Sequence, residues 1–264
     1  MEYQSILQGQ EYNFLKTDEH LGKNVILLGL AGSYSYGTNN ENSDIDVRGV
    51  TLNRKSDLIG LTSYEQYVDD KTDTTIYTFN KMISLLLSCN PNTVELLGLN
   101  EEHYLFLNDL GRELIANTKL FLSKRAIQSF GGYADAQLRR LENALARDSY
   151  SQSEKEKHIF NSVKNAMHLV RLFMMAIDIL EKGEIHTHRS KEQELLLSIR
   201  RGDYQREDGG FCEAFYDIVS EYEKKLDYAA ANTDLPDEPD LEAVQEYVMK
   251  VNEKIIKDEQ RCQI

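Results

Sequence analysis

The stretch Leu28-Gly-Leu-Ala-Gly32-Ser33-Tyr-Ser-Tyr-Gly37-Thr38-Asn-Asn-Glu-Asn-Ser43-Asp44-Ile-Asp46-Val-Arg48-Gly-Val50 decides how this chain reads. An apolar run, Val25 to Leu30, leads into Gly32-Ser33. A turn of small and polar residues follows, and Asp44 and Asp46 then enter a second apolar run. Residues at i and i+2 of a strand share a face at roughly 6.5–7 Å, so the two carboxylates are expected to point the same way. Two unpartnered carboxylates that close raise each other's pKa, and a divalent cation removes the conflict. Oxygen-only ligands favour Mg²⁺ or Mn²⁺. Glycine lets a backbone approach phosphate oxygens, and serine adds a hydroxyl donor. The layout implies metal-dependent chemistry on a nucleoside triphosphate.

Composition narrows the setting. At 264 residues, 41% of them apolar, the chain can bury one large core or two modest ones. No apolar run approaches the roughly 18 residues that span a bilayer. The N-terminus has no basic segment followed by an apolar one. The three cysteines (Cys89, Cys212 and Cys262) are odd in number and far apart, which fits a reducing cytosol better than a disulfide framework or zinc site. A cytoplasmic protein with no membrane partner is expected. The formal charge of −14 disfavours a long polynucleotide, leaving a local basic groove to hold an RNA end.

The chain divides by pattern. Val25–Leu30, residues 44–52 and residues 72–79 read as strands, the last rich in β-branched and aromatic residues. Residues 79–88 read as a helix stopped by Asn90-Pro91, and Asn92 with Glu95 resembles a capping box opening the next. Beyond residue 117 the period is helical. Ile127, Phe130, Ala134, Leu138, Leu141 and Leu145 form one stripe; Val163, Ala166, Met167, Val170, Phe173, Ile177 and Leu180 form another. Ser153 with Glu156 resembles a second capping box, and Gly183 sits where a glycine stop belongs. Further helices are expected over 191–200, 211–231 and 241–259, the last after an acidic, proline-bearing linker. The expected fold is α+β: a mixed sheet with flanking helices in a catalytic domain of residues 1–117, then an all-helical domain of residues 118–264.

Two metal ions about 3.5–4 Å apart would need a third carboxylate from a neighbouring strand. Asp73, at the start of the next strand, is the first candidate; Asp69 and Asp70 read as loop residues, and Asp57 is weaker still. Arg48 shares the face of Asp46. It either pairs with Asp44 or Asp46 or meets the triphosphate or leaving pyrophosphate.

The series Gly32-Ser33, Gly37-Thr38 and Ser43-Asp44-Ile-Asp46 resembles the DNA polymerase β nucleotidyltransferase superfamily. Val47-Arg48-Gly-Val50 is similar to one branch, the RNA-ligase-associated predicted nucleotidyltransferases (RlaP-like). So are Asp73 with Tyr77, Asn90-Pro-Asn-Thr-Val-Glu-Leu-Leu97, and Ser129-Phe-Gly-Gly-Tyr133 with Gln137-Leu138. Ala166-Met-His168-Leu-Val-Arg171, Gly183-Glu-Ile185 and Ile199-Arg-Arg-Gly202 complete the match, over roughly residues 25 to 205. The resemblance implies roles. Asp44 and Asp46 would bind both metals. Asp73 would bind the catalytic metal and help deprotonate an acceptor hydroxyl. Gly32 and Ser33 would hold the β- and γ-phosphates. The implied reaction moves a nucleoside monophosphate from an NTP, ATP first, to a hydroxyl acceptor such as an RNA or tRNA end, releasing pyrophosphate. Tyr34 and Tyr36 are bulky where some relatives carry smaller or basic residues. A non-catalytic nucleotide sensor on the same fold is the alternative, as is a protein-modifying enzyme of toxin–antitoxin type.

The helical half adds Lys164, His168 and Arg171, one stripe at i, i+4 and i+7 beside an apolar segment. An arginine there must meet an acid, with Glu95 as the core candidate, or a phosphate. The second reading makes these three residues nucleotide-binding, with Lys124, Tyr133 and Gln137 able to join them. His186-Thr-His188 has metal-ligand flavour but no cysteine or acidic cluster beside it.

Overall fold

The computed structural model describes residues 3–41, 43–145 and 152–261. They fold as two compact units, one of the chain up to residue 122 together with residues from 238 onward, the other of residues 123–237.

The first unit is built on a five-stranded mixed sheet in the order β3-β4-β2-β1-β5. The strands are β1 (Val25–Leu30), β2 (Val47–Thr51), β3 (Gln66–Asp69), β4 (Thr74–Thr78) and β5 (Tyr104–Leu107). All six residues of β1 are buried, as a continuous apolar run predicts for an interior strand. β1 pairs antiparallel with β2 and β5, β2 runs parallel to β4, and β3 closes a hairpin on β4. Short helices α1 (Phe14–Thr17), α2 (Gly32–Ser35) and α3 (Lys55–Ile59) punctuate the loops. Helices α4 (Phe79–Leu87), α5 (Pro91–Val94) and α6 (Asp109–Ala116) follow. The Thr78 hydroxyl caps α4, and Asn108 caps α6 by accepting from the Gly111 amide at 3.0 Å. The capping expected of Asn92 belongs to Asn90, which accepts the Asn92 amide at 3.0 Å and precedes Pro91 at the first helical position.

The second unit is helical: α7 (Arg125–Leu145), α8 (Gln152–Lys182), α9 (Gln193–Arg201) and α10 (Glu213–Asn232). α8 packs against the other three. From Ala166 to Leu180 it is buried almost all round, with only His168 and Ile177 half-buried. The buried stripe of α7 is Ala126, Phe130, Ala134, Gln137 and Leu141; Ile127 and Leu138 flank it half-buried. Gly183, at φ +63°, ends α8 and donates its amide to Ile179. The side chains of Ser153 and Glu156, and Cys262, lie outside the described residues.

The last helix, α11 (Leu241–Arg261), follows the helical run in sequence but packs on the first unit. Tyr247 lies against the rings of Phe79 (5.7 Å) and Phe121 (6.3 Å), and Lys250 pairs with Glu113 at 2.7 Å. No helix among the described residues is long and apolar enough to cross a membrane.

Candidate active site

Three strand ends meet at the site. β1 leaves its ladder at Leu30, opposite Val47, and the Ala31 amide donates to the Asp46 carbonyl at 2.9 Å. β2 and β4 begin side by side, Val47 opposite Thr74. Their parallel register sets the two preceding residues, Asp46 and Asp73, next to each other. The Val47 amide donates to the Asp73 carbonyl at 3.1 Å and locks that alignment.

The two side chains meet within hydrogen-bonding reach. Burial, then the neighbouring Asp73, lifts the Asp46 pKa from 3.8 to about 7, while Arg48 opposes the rise. Asp73 moves the other way: the hydrogen bond from Asp46 holds its carboxyl below the usual range, and Arg48 adds to this. Asp46 therefore carries the shared proton and Asp73 the charge. This donor set fits a divalent cation, since an ion replacing the proton would satisfy both carboxylates.

The preceding turn fits the pair closely. Gly32 has φ +58°, and a Cβ there would run into the Asp46 carboxylate, so only glycine suits the position. The Ser33 carbonyl accepts the Thr38 amide at 2.9 Å, which closes the turn. Tyr36 is buried and donates its hydroxyl to Glu95 at 2.7 Å. Its bulk fills the core beneath the turn, and this role takes Glu95 away from the capping box expected in the sequence. No residue pattern along the chain announces a contact 59 positions apart.

Arg48 reaches across to Asp73, the residue before β4, and also bonds the carbonyl of its own neighbour Val47. One guanidinium nitrogen donates to the Asp73 carbonyl at 2.6 Å and the Val47 carbonyl at 3.0 Å; the other meets the Asp73 carboxylate at 3.1 Å. The acid it pairs with is thus neither Asp44 nor Asp46, because the adjacent strand lies nearer than the next residue on the same face.

Asp44 is exposed, in the extended lead-in before β2, which begins at Val47 rather than at residue 44. It lines a groove of about 590 Å³ with Glu11, Tyr12, Asp70, Lys71 and Asp73. Among the described residues no three His, Cys, Asp or Glu side chains gather into a metal-ready cluster. Asp69 ends β3 and spends its carboxylate on the hairpin, accepting the Thr72 amide (3.0 Å) and hydroxyl (2.8 Å). The Asp57 side chain is buried in another cluster, accepting from Thr62 at 2.7 Å and facing His20 at 3.9 Å.

A family model described as "RlaP: RNA repair pathway DNA polymerase beta family" matches residues 8–250. The chain belongs to this family. It is accordingly a nucleotidyltransferase, as its Gly-Ser and Asp-x-Asp motifs led one to expect. No curated protein matches the chain. Among solved structures, a nucleotidyltransferase-like protein from Exiguobacterium sibiricum matches at 13% identity, covering 84% of this chain and 75% of that one, with a TM-score of 0.30.

The helical unit of this RlaP-family chain holds the remaining candidates. Lys164 is exposed, His168 half-buried and Arg171 8% exposed, with Arg171 Nη2 at 2.8 Å from His168 Nδ1. Farther along α8, buried Asp178 binds Arg189 at 2.5 Å and Lys182 at 2.8 Å. Arg200 stands close enough to Arg171 that burial and this like charge lower its pKa. Lys124 pairs with Asp237 at 2.8 Å; Tyr133 and Gln137 are one turn apart on the same side of α7, Tyr133 exposed and Gln137 buried. His186 contacts Glu184 at 2.9 Å in an exposed pair.

Proposed function

We propose that this chain moves a nucleoside monophosphate from an NTP, ATP by preference, to a hydroxyl on an RNA or tRNA end. The observation that carries the reading is the proton-sharing Asp46–Asp73 pair beside the Gly32 turn. Asp46 and Asp73, with Asp44 from the groove edge, would hold Mg²⁺ or Mn²⁺. Such an ion, when bound, supplies positive charge to phosphate oxygens and lowers the barrier to in-line displacement.

The chain's own groups do the rest. Gly32 and Ser33 offer backbone and hydroxyl donors to the β- and γ-phosphates. The acceptor oxygen forms a bond to the α-phosphorus, the bond to the β-phosphoryl oxygen breaks, and pyrophosphate leaves. Asp73, at the edge of the pair, would help take the acceptor's proton. Lys164, His168 and Arg171 are proposed as the helical unit's phosphate contacts.

The test incubates the full chain with α-labelled NTPs, Mg²⁺ or Mn²⁺, and total RNA. Label is expected in the RNA fraction with wild-type protein and not with Asp46→Asn. Arg171→Ala should weaken nucleotide binding about tenfold if it meets phosphate. Transfer of label to protein alone would reject the RNA acceptor. No transfer with any NTP and either metal would reject the reaction.

A further inference from the structure

We propose that Arg48 is a positioning residue: it clamps Asp73 so that its carboxylate faces Asp46. The proposal rests on the reading of those two acids as the metal-binding pair. Asp73 needs such a clamp. It is the last residue of the hairpin turn between β3 and β4, its side chain is 54% exposed, and its φ of +42° lies in the left-handed region that a residue bearing a Cβ rarely adopts. An acid there has both strain and open solvent drawing it out of place.

Arg48 opposes both. It grips Asp73 twice, at the carbonyl (2.6 Å) and at the carboxylate (3.1 Å). The first bond holds the peptide leaving the strained residue; the second fixes the side-chain rotamer. The same nitrogen that holds the Asp73 carbonyl also binds the Val47 carbonyl, tying the clamp to the residue that follows Asp46. Only a planar, forked donor set can do this. Lysine offers one nitrogen and cannot meet the carbonyl and the carboxylate in the same geometry. With its donors turned onto Asp73 and Val47, Arg48 acts on the acid rather than on the nucleotide.

The experiment separates charge from geometry. Mn²⁺ binding to the nucleotide-free full chain is measured calorimetrically for wild type, Arg48→Lys, Arg48→Ala and Asp46→Asn. Affinity for a fluorescent NTP analogue is measured in EDTA, and kcat and KM in the transfer assay. A clamp predicts that Arg48→Lys loses about tenfold or more in Mn²⁺ affinity, the scale seen when a ligand's supporting hydrogen bond is removed. It should keep its metal-free nucleotide affinity within about twofold and lower kcat more than it raises KM. Should Arg48→Ala fail to fold, Arg48→Lys, which keeps the charge, still decides the question. Wild-type Mn²⁺ affinity in Arg48→Lys overturns the clamp. So does a tenfold loss of metal-free nucleotide binding, which would make Arg48 a phosphate ligand. If wild type binds no Mn²⁺, or Asp46→Asn binds it equally well, the metal-pair reading itself falls and the clamp with it.

Discussion

Replacing Asp46 by asparagine should stabilise the metal-free protein at pH 8 and change it little at pH 4. The folded Asp46 holds its proton to about pH 7, whereas the unfolded chain releases it near 3.8. Between those values the unfolded state binds fewer protons, so stability falls as pH rises through the window, and the loss is complete above it. At about 1.4 kcal/mol per pH unit the displacement corresponds to about 4 kcal/mol. Asp46 is only partly shielded, and solvent screening reduces this to about 1–2 kcal/mol. Asparagine removes the titration and keeps an N–H to donate to Asp73, so the variant should gain that amount at pH 8, a few degrees in Tm. Asp73 titrates in both proteins and cancels in the comparison to first order. The assay is urea unfolding in EDTA at pH 4, 6 and 8. A gain that grows with pH supports the shared proton. Equal stability at pH 8, or a loss at every pH, refutes it and makes Asp46 a structural acid.

Two other substitutions probe the surroundings. Gly32→Ala forces a Cβ into the left-handed region and against the Asp46 carboxylate, so it should cost more than about 1 kcal/mol in urea unfolding and reduce Mn²⁺ affinity; unchanged values in both would mean the turn adapts freely. Asp178→Ala leaves the guanidinium of Arg189, 8% exposed, without its carboxylate and should destabilise by about 3–5 kcal/mol; a loss under about 1 kcal/mol would show that water reaches the site.

Much of this was legible in the chain because local signals agreed. The β1 run, the β-branched and aromatic content of β4, the apolar stripes of α7 and α8 and the Gly183 stop each stand on a few neighbouring residues. The position of Asp73 beside the lead-in to β2 was legible as well, since a strand start fixes where the residue before it lies relative to the sheet. What escaped is non-local. β3 is four residues with polar ends, too short to show a period, and takes its conformation from pairing with β4. Arg48 shares a face with Asp46, but face parity says nothing about a neighbour on the adjoining strand, and its partner proved to be Asp73. Glu95 looked like a capping residue because its spacing fits, yet a buried tyrosine hydroxyl holds it. The place of α11 was illegible for the same reason: an apolar helix face does not name its partner, and Tyr247 meets Phe79 and Phe121 through packing between residues far apart in sequence.

The parallel start of β2 and β4 also limits how this sequence can vary in length. Asp46 and Asp73 meet because each stands one step before the first rung of a shared ladder. One extra residue between Asp73 and Thr74 would carry the acid off that rung, and one inside β4 would turn its side chains to the opposite face. The hairpin tip at residues 70–71 has no such duty, as its two side chains are exposed and the closing bonds are made by Asp69 and Thr72. Insertions and deletions are therefore tolerated at the tip and forbidden three residues later, so the spacing between the two acids can change while their meeting point stays fixed.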